Sequence, residues 1–312
     1  MRELSRVLMP ALPANVAFHD REGTNEPGRA FVNITTRGCG CGCRYCYIVD
    51  PGGPQVLISE RQACESLEFL LAHPLFELGK HGTVLSLCPG TEPYRTKQSI
   101  HLIATILGQV LPLGNPVQIS TKEAIPPEML DLIGRLSSWK HQVVNFTSIT
   151  TVSRASLIEP HAASVALRAG NFESCREAGL FSCIYIKPFT SLTYRDLPLF
   201  LELVAQSRPN AACVGMKYTS VPDEGRPYRH PIHANLRSGG IDALCRQFVE
   251  ALESGTGGIS VFHTSVCVTA VTRDRFPLPR IWREYPALCV SCRDCEGEDG
   301  GSPEAREVGG AR

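Results

Sequence analysis

Cys39-Gly-Cys-Gly-Cys43-Arg-Tyr-Cys46 follows directly on an apolar, β-branched run that contains Phe31, Val32, Ile34, Thr35 and Thr36. Cys39, Cys43 and Cys46 are separated by three and then two residues, so a strand empties into a compact loop of thiols. Thiolates are soft ligands that suit zinc and iron-sulfur clusters, and three of them leave one iron of a four-iron cubane without a protein ligand. That open iron is a place where a substrate or cofactor binds. Gly40 and Gly42 let the backbone curl round an inorganic core with no Cβ in the way. Tyr45 supplies an aromatic wall before the last cysteine, and Cys41, between two ligands, is read as lying outside the ligand set. A zinc ribbon would want a nearby pair of C-x2-C knuckles, which this region lacks.

Outward from this loop the chain alternates apolar runs with helical patterns. Strands are predicted near 31–36, 83–88, 116–121, 142–149, 181–187 and 211–217, and helices near 58–72, 97–110, 127–137, 163–178 and 194–206. Repeated βα units imply a parallel sheet with right-handed crossovers. In parallel barrels the functional groups lie at the C-terminal strand ends. Here the runs end in Cys39, in Cys88-Pro-Gly-Thr-Glu92, in Ser120-Thr-Lys122, in Ser148-Ile-Thr150, in Lys187 and in Lys217. Residues 1–28 read as an irregular lead-in, 29–225 as the barrel, 226–295 as a cysteine-rich C-terminal extension, and 296–312 as a disordered tail too poor in apolar residues to fold. Within the extension a helix is expected near 240–253, followed by a strand-like SVFHTSVCVTAV.

Lys plus Arg and Asp plus Glu both total 31, so no global field draws the chain to nucleic acid or an anionic membrane. The N-terminal apolar segment is short and broken by proline, and no run reaches the length of a membrane span; a cytoplasmic location is the expectation. The 14 cysteines in a chain of this length are then read as metal ligands, reactive thiols and small buried residues rather than as disulfides.

The spacing of Cys39, Cys43 and Cys46, with an aromatic residue before the third, resembles the signature of the radical S-adenosylmethionine (SAM) superfamily. The resemblance implies a partial (β/α)6 TIM-like barrel, a four-iron cluster on the three cysteines and SAM chelated to the open iron. Over residues 30 to roughly 220 the chain further resembles spore photoproduct lyase-like members. By that resemblance Glu92, in PGTEPY, contacts the SAM amino group and Lys122 lies near the SAM carboxylate. Ser148 and the downstream Glu159-Pro160 and Arg168 look like the fourth-strand serine and its EP...R element, with Arg168 holding the ribose or an acidic partner. Tyr45 joins this cofactor-binding set.

Cys289, Cys292 and Cys295, with Cys267 upstream, offer four thiolates to a second site. They are read as an auxiliary four-iron cluster, with zinc as the alternative. If Cys267 is not the fourth ligand, Cys245 or Cys213 takes its place. Cys88, Cys245 and Cys267 are the candidate hydrogen donors, Cys88 lying near the position at which spore photoproduct lyase carries such a cysteine. Arg226, Arg229, His230, His233 and Arg237 are candidates for a lid that meets an anionic substrate.

The expected reaction is hydrogen abstraction from carbon of a small polar metabolite, followed by hydrogen return from a cysteine. In this it is similar to sugar and aminoglycoside epimerases of the neomycin C epimerase type, members of antibiotic biosynthesis. Oxidative dehydrogenation through the auxiliary cluster and repair of a DNA lesion are the alternatives. Neutral charge and 7% aromatic residues argue against the groove that a flipped base needs. An external electron donor such as flavodoxin or ferredoxin is implied. Protein reconstituted without oxygen is expected to hold about eight irons, whereas about four irons and one zinc would make the C-terminal cysteines a structural clamp.

Overall fold

Seven short strands form one parallel sheet in the computed structural model, which describes residues 15–19, 29–46, 48, 50–215, 239–262 and 265–273. In chain order they are β2 (Arg29–Val32), β5 (Val84–Leu87), β6 (Val117–Thr121), β7 (Val143–Ser148), β8 (Phe181–Ile186), β9 (Ala211–Val214) and β10 (Ser260–Phe262). Each pairs in parallel with the next, and β1 (Val16–His19) adds an antiparallel edge to β2. The helices between them are α1 (Glu60–Leu71), α2 (Lys97–Val110), α3 (Pro127–Leu136), α4 (Ala155–Ile158), α5 (Val165–Glu177), α6 (Ser191–Arg195), α7 (Leu197–Ser207) and α8 (Gly239–Gly255), with α9 (Ser265–Thr272) after the last strand. This mixed α/β architecture is the partial TIM-like barrel expected. It has one more parallel strand than the six predicted, and Val16–His19 is a strand within the stretch read as irregular.

The two-residue period of the strands sorts their side chains into separate cores. Leu85 and Leu87, Val117 and Ile119, and Val143 pack outward with Leu67, Ile103 and Met129 of α1, α2 and α3. Ile184, Ile186, Ala212, Val214 and Val261 pack outward with Phe172, Phe200 and Phe248 of α5, α7 and α8. The alternate residues, Val144, Phe146, Cys183, Ala211, Cys213 and Phe262, face the concave side. There they meet Cys267 and Val268 of α9.

That last helix corrects the strand expected across SVFHTSVCVTAV. Only Ser260–Phe262 is a strand, and Ser265–Thr272 is helical although it is rich in β-branched residues. It packs across the concave face of β7, β9 and β10 instead of extending the sheet, so its backbone must satisfy its own hydrogen bonds. The Gln118 amide ties it to the sheet by donating to the Ser265 carbonyl at 2.8 Å and to Thr269 Oγ1.

β3 (Thr35–Arg37) and β4 (Val56–Leu57) form a small antiparallel ladder outside the main sheet. They bracket the cysteine loop at both ends, and the Ile58 N–H donates to the Ile34 carbonyl at 2.9 Å just beyond them. Lys217, the proposed lid from Arg226 to Arg237, the boundaries at 225/226 and 295/296, and Cys289, Cys292 and Cys295 lie outside the described residues. No helix among the described residues is long and apolar enough to cross a membrane.

Phe248 is fully buried, with its ring edge-on to Phe189 at 5.2 Å and Phe200 at 5.4 Å. Phe248→Ala is expected to lower unfolding free energy by about 3–5 kcal/mol, read as a lower urea midpoint at unchanged slope; a loss below about 1 kcal/mol would mean that α8 does not close the second core.

Candidate active site

The cysteine loop is shaped by glycines that no other residue would replace without strain. Gly38, Gly40 and Gly42 all have positive φ, and a Cβ on Gly38 would stand 2.1 Å from the Pro54 carbonyl oxygen. Cys41, Cys43 and Tyr45 are buried, with Cys39 and Cys46 half-exposed, and all five sulfur and aromatic side chains pack with Ile158 of α4. The backbone is pinned from three sides: Gly42 N–H to the Pro51 carbonyl at 2.8 Å, Arg44 N–H to Ile158 at 2.9 Å, and His161 N–H to Cys41 at 3.2 Å. Arg95 lies over the outer side, donating to Cys41 Sγ at 3.4 Å, Glu123 at 2.7 Å and the His161 carbonyl at 2.6 Å.

Among the described residues no three His, Cys, Asp or Glu side chains are grouped to hold a single metal ion. A cubane asks for a different arrangement, one thiolate at each of several irons. The loop fits that demand: three thiols gathered in one apolar, aromatic-walled pocket on a backbone of left-handed glycines.

Glu159 is the hub of the residues beside the loop. It is 1% exposed, and Arg168, equally buried, donates to its Oε2 at 2.6 Å and to the Ser148 carbonyl at 2.7 Å. Lys122 Nζ stands 3.0 Å from Oε1, donates to Ser148 Oγ, and lies 5.5 Å from the centre of the Tyr45 ring. The Tyr45 hydroxyl donates to Oε1, and Thr150 Oγ1 donates to the same oxygen at 3.1 Å. Burial alone would raise the Glu159 pKa, but Lys122 and then Arg168 overcome it and hold the carboxyl at about 2. Lys122 is in turn held charged: burial works against its ammonium, and Glu159, with Tyr45 and Cys43 beside it, more than offsets that burial. Two cations and one carboxylate leave this cradle with a surplus positive charge.

Glu92 sits at the end of β5 under the opposite electrostatic regime. It is 2% exposed and accepts from Thr121 Oγ1 at 2.5 Å and from the Lys122 N–H at 2.7 Å. Burial nevertheless dominates and pushes it up to about 7. A cation arriving beside it would draw it into its charged form.

The structure thus brings Cys39, Cys43, Cys46, Tyr45, Glu92, Lys122, Ser148 and Arg168 to one end of the barrel. The hydrogen-donor candidates are dispersed. Cys88 and Cys245 pack in the two outer cores, while Cys267 is on the concave side next to Cys183 and Cys213. Sequence reasoning assigned no role to Thr150 or Arg95, and it did not give Glu159 its place at the centre. One signal was available: Arg168, Asn171, Phe172 and Cys175, the buried residues of α5, follow helical spacing, so Arg168 shares the stripe of two apolar residues.

No family model matches the chain, and no curated protein does. Solved structures do. A cysteine-to-serine variant of spore photoproduct lyase aligns with a TM-score of 0.51 at 14% identity, over 73% of this chain and 75% of that one. A doubly substituted variant of the same enzyme, with bound AdoMet and dinucleoside spore photoproduct, aligns with a TM-score of 0.51 at 15% identity over the same shares. SuiB of Streptococcus suis aligns with a TM-score of 0.49 at 14% identity, over 78% of this chain and 51% of that one. At these identities the likeness to spore photoproduct lyase is one of fold.

Removing the hub carboxylate should be costly. Glu159→Gln leaves Lys122 and Arg168 buried without their counter-charge, an expected loss of about 3–5 kcal/mol at neutral pH by urea unfolding. A depressed carboxyl stabilises the fold above its unfolded pKa, and that stabilisation disappears as pH falls through the folded pKa. The gap between parent and variant should therefore narrow as pH falls from 4.5 towards 2. A gap that is absent at neutral pH, or that widens in acid, would contradict this electrostatic picture.

Proposed function

We propose that this chain is a radical SAM enzyme that removes a hydrogen atom from carbon of a small polar metabolite. The observation that carries the reading is the convergence of a three-thiol loop with a surplus-positive cradle and a near-neutral glutamate at one end of a parallel barrel. Cys39, Cys43 and Cys46 would hold a four-iron cluster. When bound, the cluster and SAM would supply a carbon-centred radical by one-electron cleavage of the sulfonium.

The chain's own residues divide the remaining work. The Lys122 ammonium, kept charged by Glu159, binds a carboxylate, and Ser148 Oγ is placed to share that contact. Glu92, at about 7, loses its proton when an ammonium group settles against it and then pairs with that group. A zwitterionic amino-acid end thus finds an acceptor on one strand end and a donor on the next. Tyr45 and Ile158 wall the site with apolar surface and exclude water. Arg168 touches no ligand in this scheme; it fixes Glu159 and so fixes Lys122.

Redox-neutral epimerisation is the finer reading, with Cys267 as hydrogen donor because it alone of the three candidate thiols is on the concave side. The thiol hydrogen closes the substrate radical, and the resulting thiyl is restored by one electron from the external flavodoxin- or ferredoxin-type donor and one proton from solvent. With Cys267 in that role, the C-terminal cysteines draw their fourth thiolate from elsewhere. Oxidative dehydrogenation is the alternative outcome if the substrate radical instead loses an electron.

Reduced, reconstituted protein is expected to release 5'-deoxyadenosine from SAM, and Cys46→Ala to release none. Cys267→Ser should keep that cleavage but yield no epimerised product once a substrate is in hand. Parent protein that loads iron yet never cleaves SAM would refute the enzyme reading, and normal product from Cys267→Ser would remove the thiol from the mechanism.

A further inference from the structure

The wall that closes the cysteine loop also presents a surface of its own. α4 and the residues after it, 154–161, wrap the loop through the Arg44-to-Ile158 and His161-to-Cys41 backbone bonds. On the outside of this wrapping Arg44 and Arg154 are both exposed. They are neighbours, because the Ile158 carbonyl holds the Arg44 N–H while the Ile158 N–H donates to the Arg154 carbonyl at 3.0 Å. Leu157, on the same turn, is 46% exposed, and Pro160 and His161 are exposed beside it.

The charges here do not cancel. Among the described residues neither Arg44 nor Arg154 makes a salt bridge, whereas the nearby Arg37 pairs with Asp50 at 3.4 Å and Arg95 with Glu123 at 2.7 Å. The acid in the same segment, Glu159, is buried and neutralised by Lys122 and Arg168. In a chain with equal numbers of acidic and basic residues, this is a local excess rather than a reflection of net charge. An exposed leucine flanked by unpaired guanidinium groups has the make-up of a small transient docking site, with an apolar centre and a charged rim that steers an oppositely charged partner.

We propose that Arg44, Arg154 and Leu157 form the docking surface for an acidic one-electron carrier protein. The proposal rests on the radical SAM reading, which requires an electron at the thiol loop. Arg44 lies between two of the cluster's ligands, so a carrier seated there stands beside the cluster. Cys46, two residues on, is half-exposed whereas Cys43 is buried.

The test uses reconstituted full-length protein and reduced flavodoxin as the acidic probe. Binding of flavodoxin is expected to weaken at least about tenfold in Arg44→Glu/Arg154→Glu, equivalent to about 1.4 kcal/mol. The parent's own affinity should fall as ionic strength rises to about 1 M, where screening acts within about 3 Å. SAM cleavage driven by dithionite, a small reductant with no need of the surface, is expected to stay within about twofold of the parent in Arg154→Glu, which lies outside the cysteine loop. Equal flavodoxin affinity in parent and variant would overturn the docking surface while dithionite-driven cleavage upheld the enzyme reading. Weakened binding without cleavage in the parent would uphold the surface and overturn the reading. Leu157→Ser, expected to weaken binding without changing its salt dependence, separates the apolar centre from the charged rim.

Discussion

A carboxylate held between two cations in a water-poor interior is the constraint on which the site depends. Glu159 reaches Lys122 from the end of β6, Arg168 from α5 and Tyr45 from the cysteine loop. These groups come from parts of the chain more than a hundred residues apart, since Tyr45 and Glu159 are separated by 114. Any one of the charges alone would be expelled or neutralised by burial. Together they lock the loop to the barrel, and they leave one ammonium with charge to offer a ligand. The same ion set therefore ties the elements together and, on the proposed reading, also supplies a binding group.

Glu92 shows the complementary strategy. Two carboxylates lie near each other at the mouth, one driven down to about 2 by cations and one pushed up to about 7 by burial. The first is a permanent anion that organises cations; the second changes charge with what is bound beside it. Environments that separate the pKa values of like groups are a recurrent way to divide roles within one site.

Much of this was legible in the chain. The βα rhythm follows from residue periodicity, and the thiol loop from spacing alone, because both are local properties. The strand ends also pointed to Glu92, Lys122 and Ser148, which the fold brings to one mouth. What escaped was non-local. For Arg168 the resemblance left the ribose and an acidic partner both open, because Glu159, nine residues earlier, is separated from it by the turn between α4 and α5. Ser265–Thr272 looked like a strand because β propensity is set by context, and the context here is the concave face of the sheet. Val16–His19 escaped because four residues next to a polar stretch carry little periodic signal. Arg44 and Arg154 gained meaning only once the fold brought them close, although they are 110 residues apart in the chain.

The central claim is that the cradle of Lys122, Ser148 and Glu92 seats SAM against a cluster on Cys39, Cys43 and Cys46. The most direct measurement is the electron paramagnetic resonance spectrum of the reduced, reconstituted protein, recorded as SAM is added. The account predicts a spectrum that changes with SAM in the parent and needs far more SAM to change in Lys122→Met. A cluster spectrum that stays the same at saturating SAM would contradict it, whatever the protein's iron content.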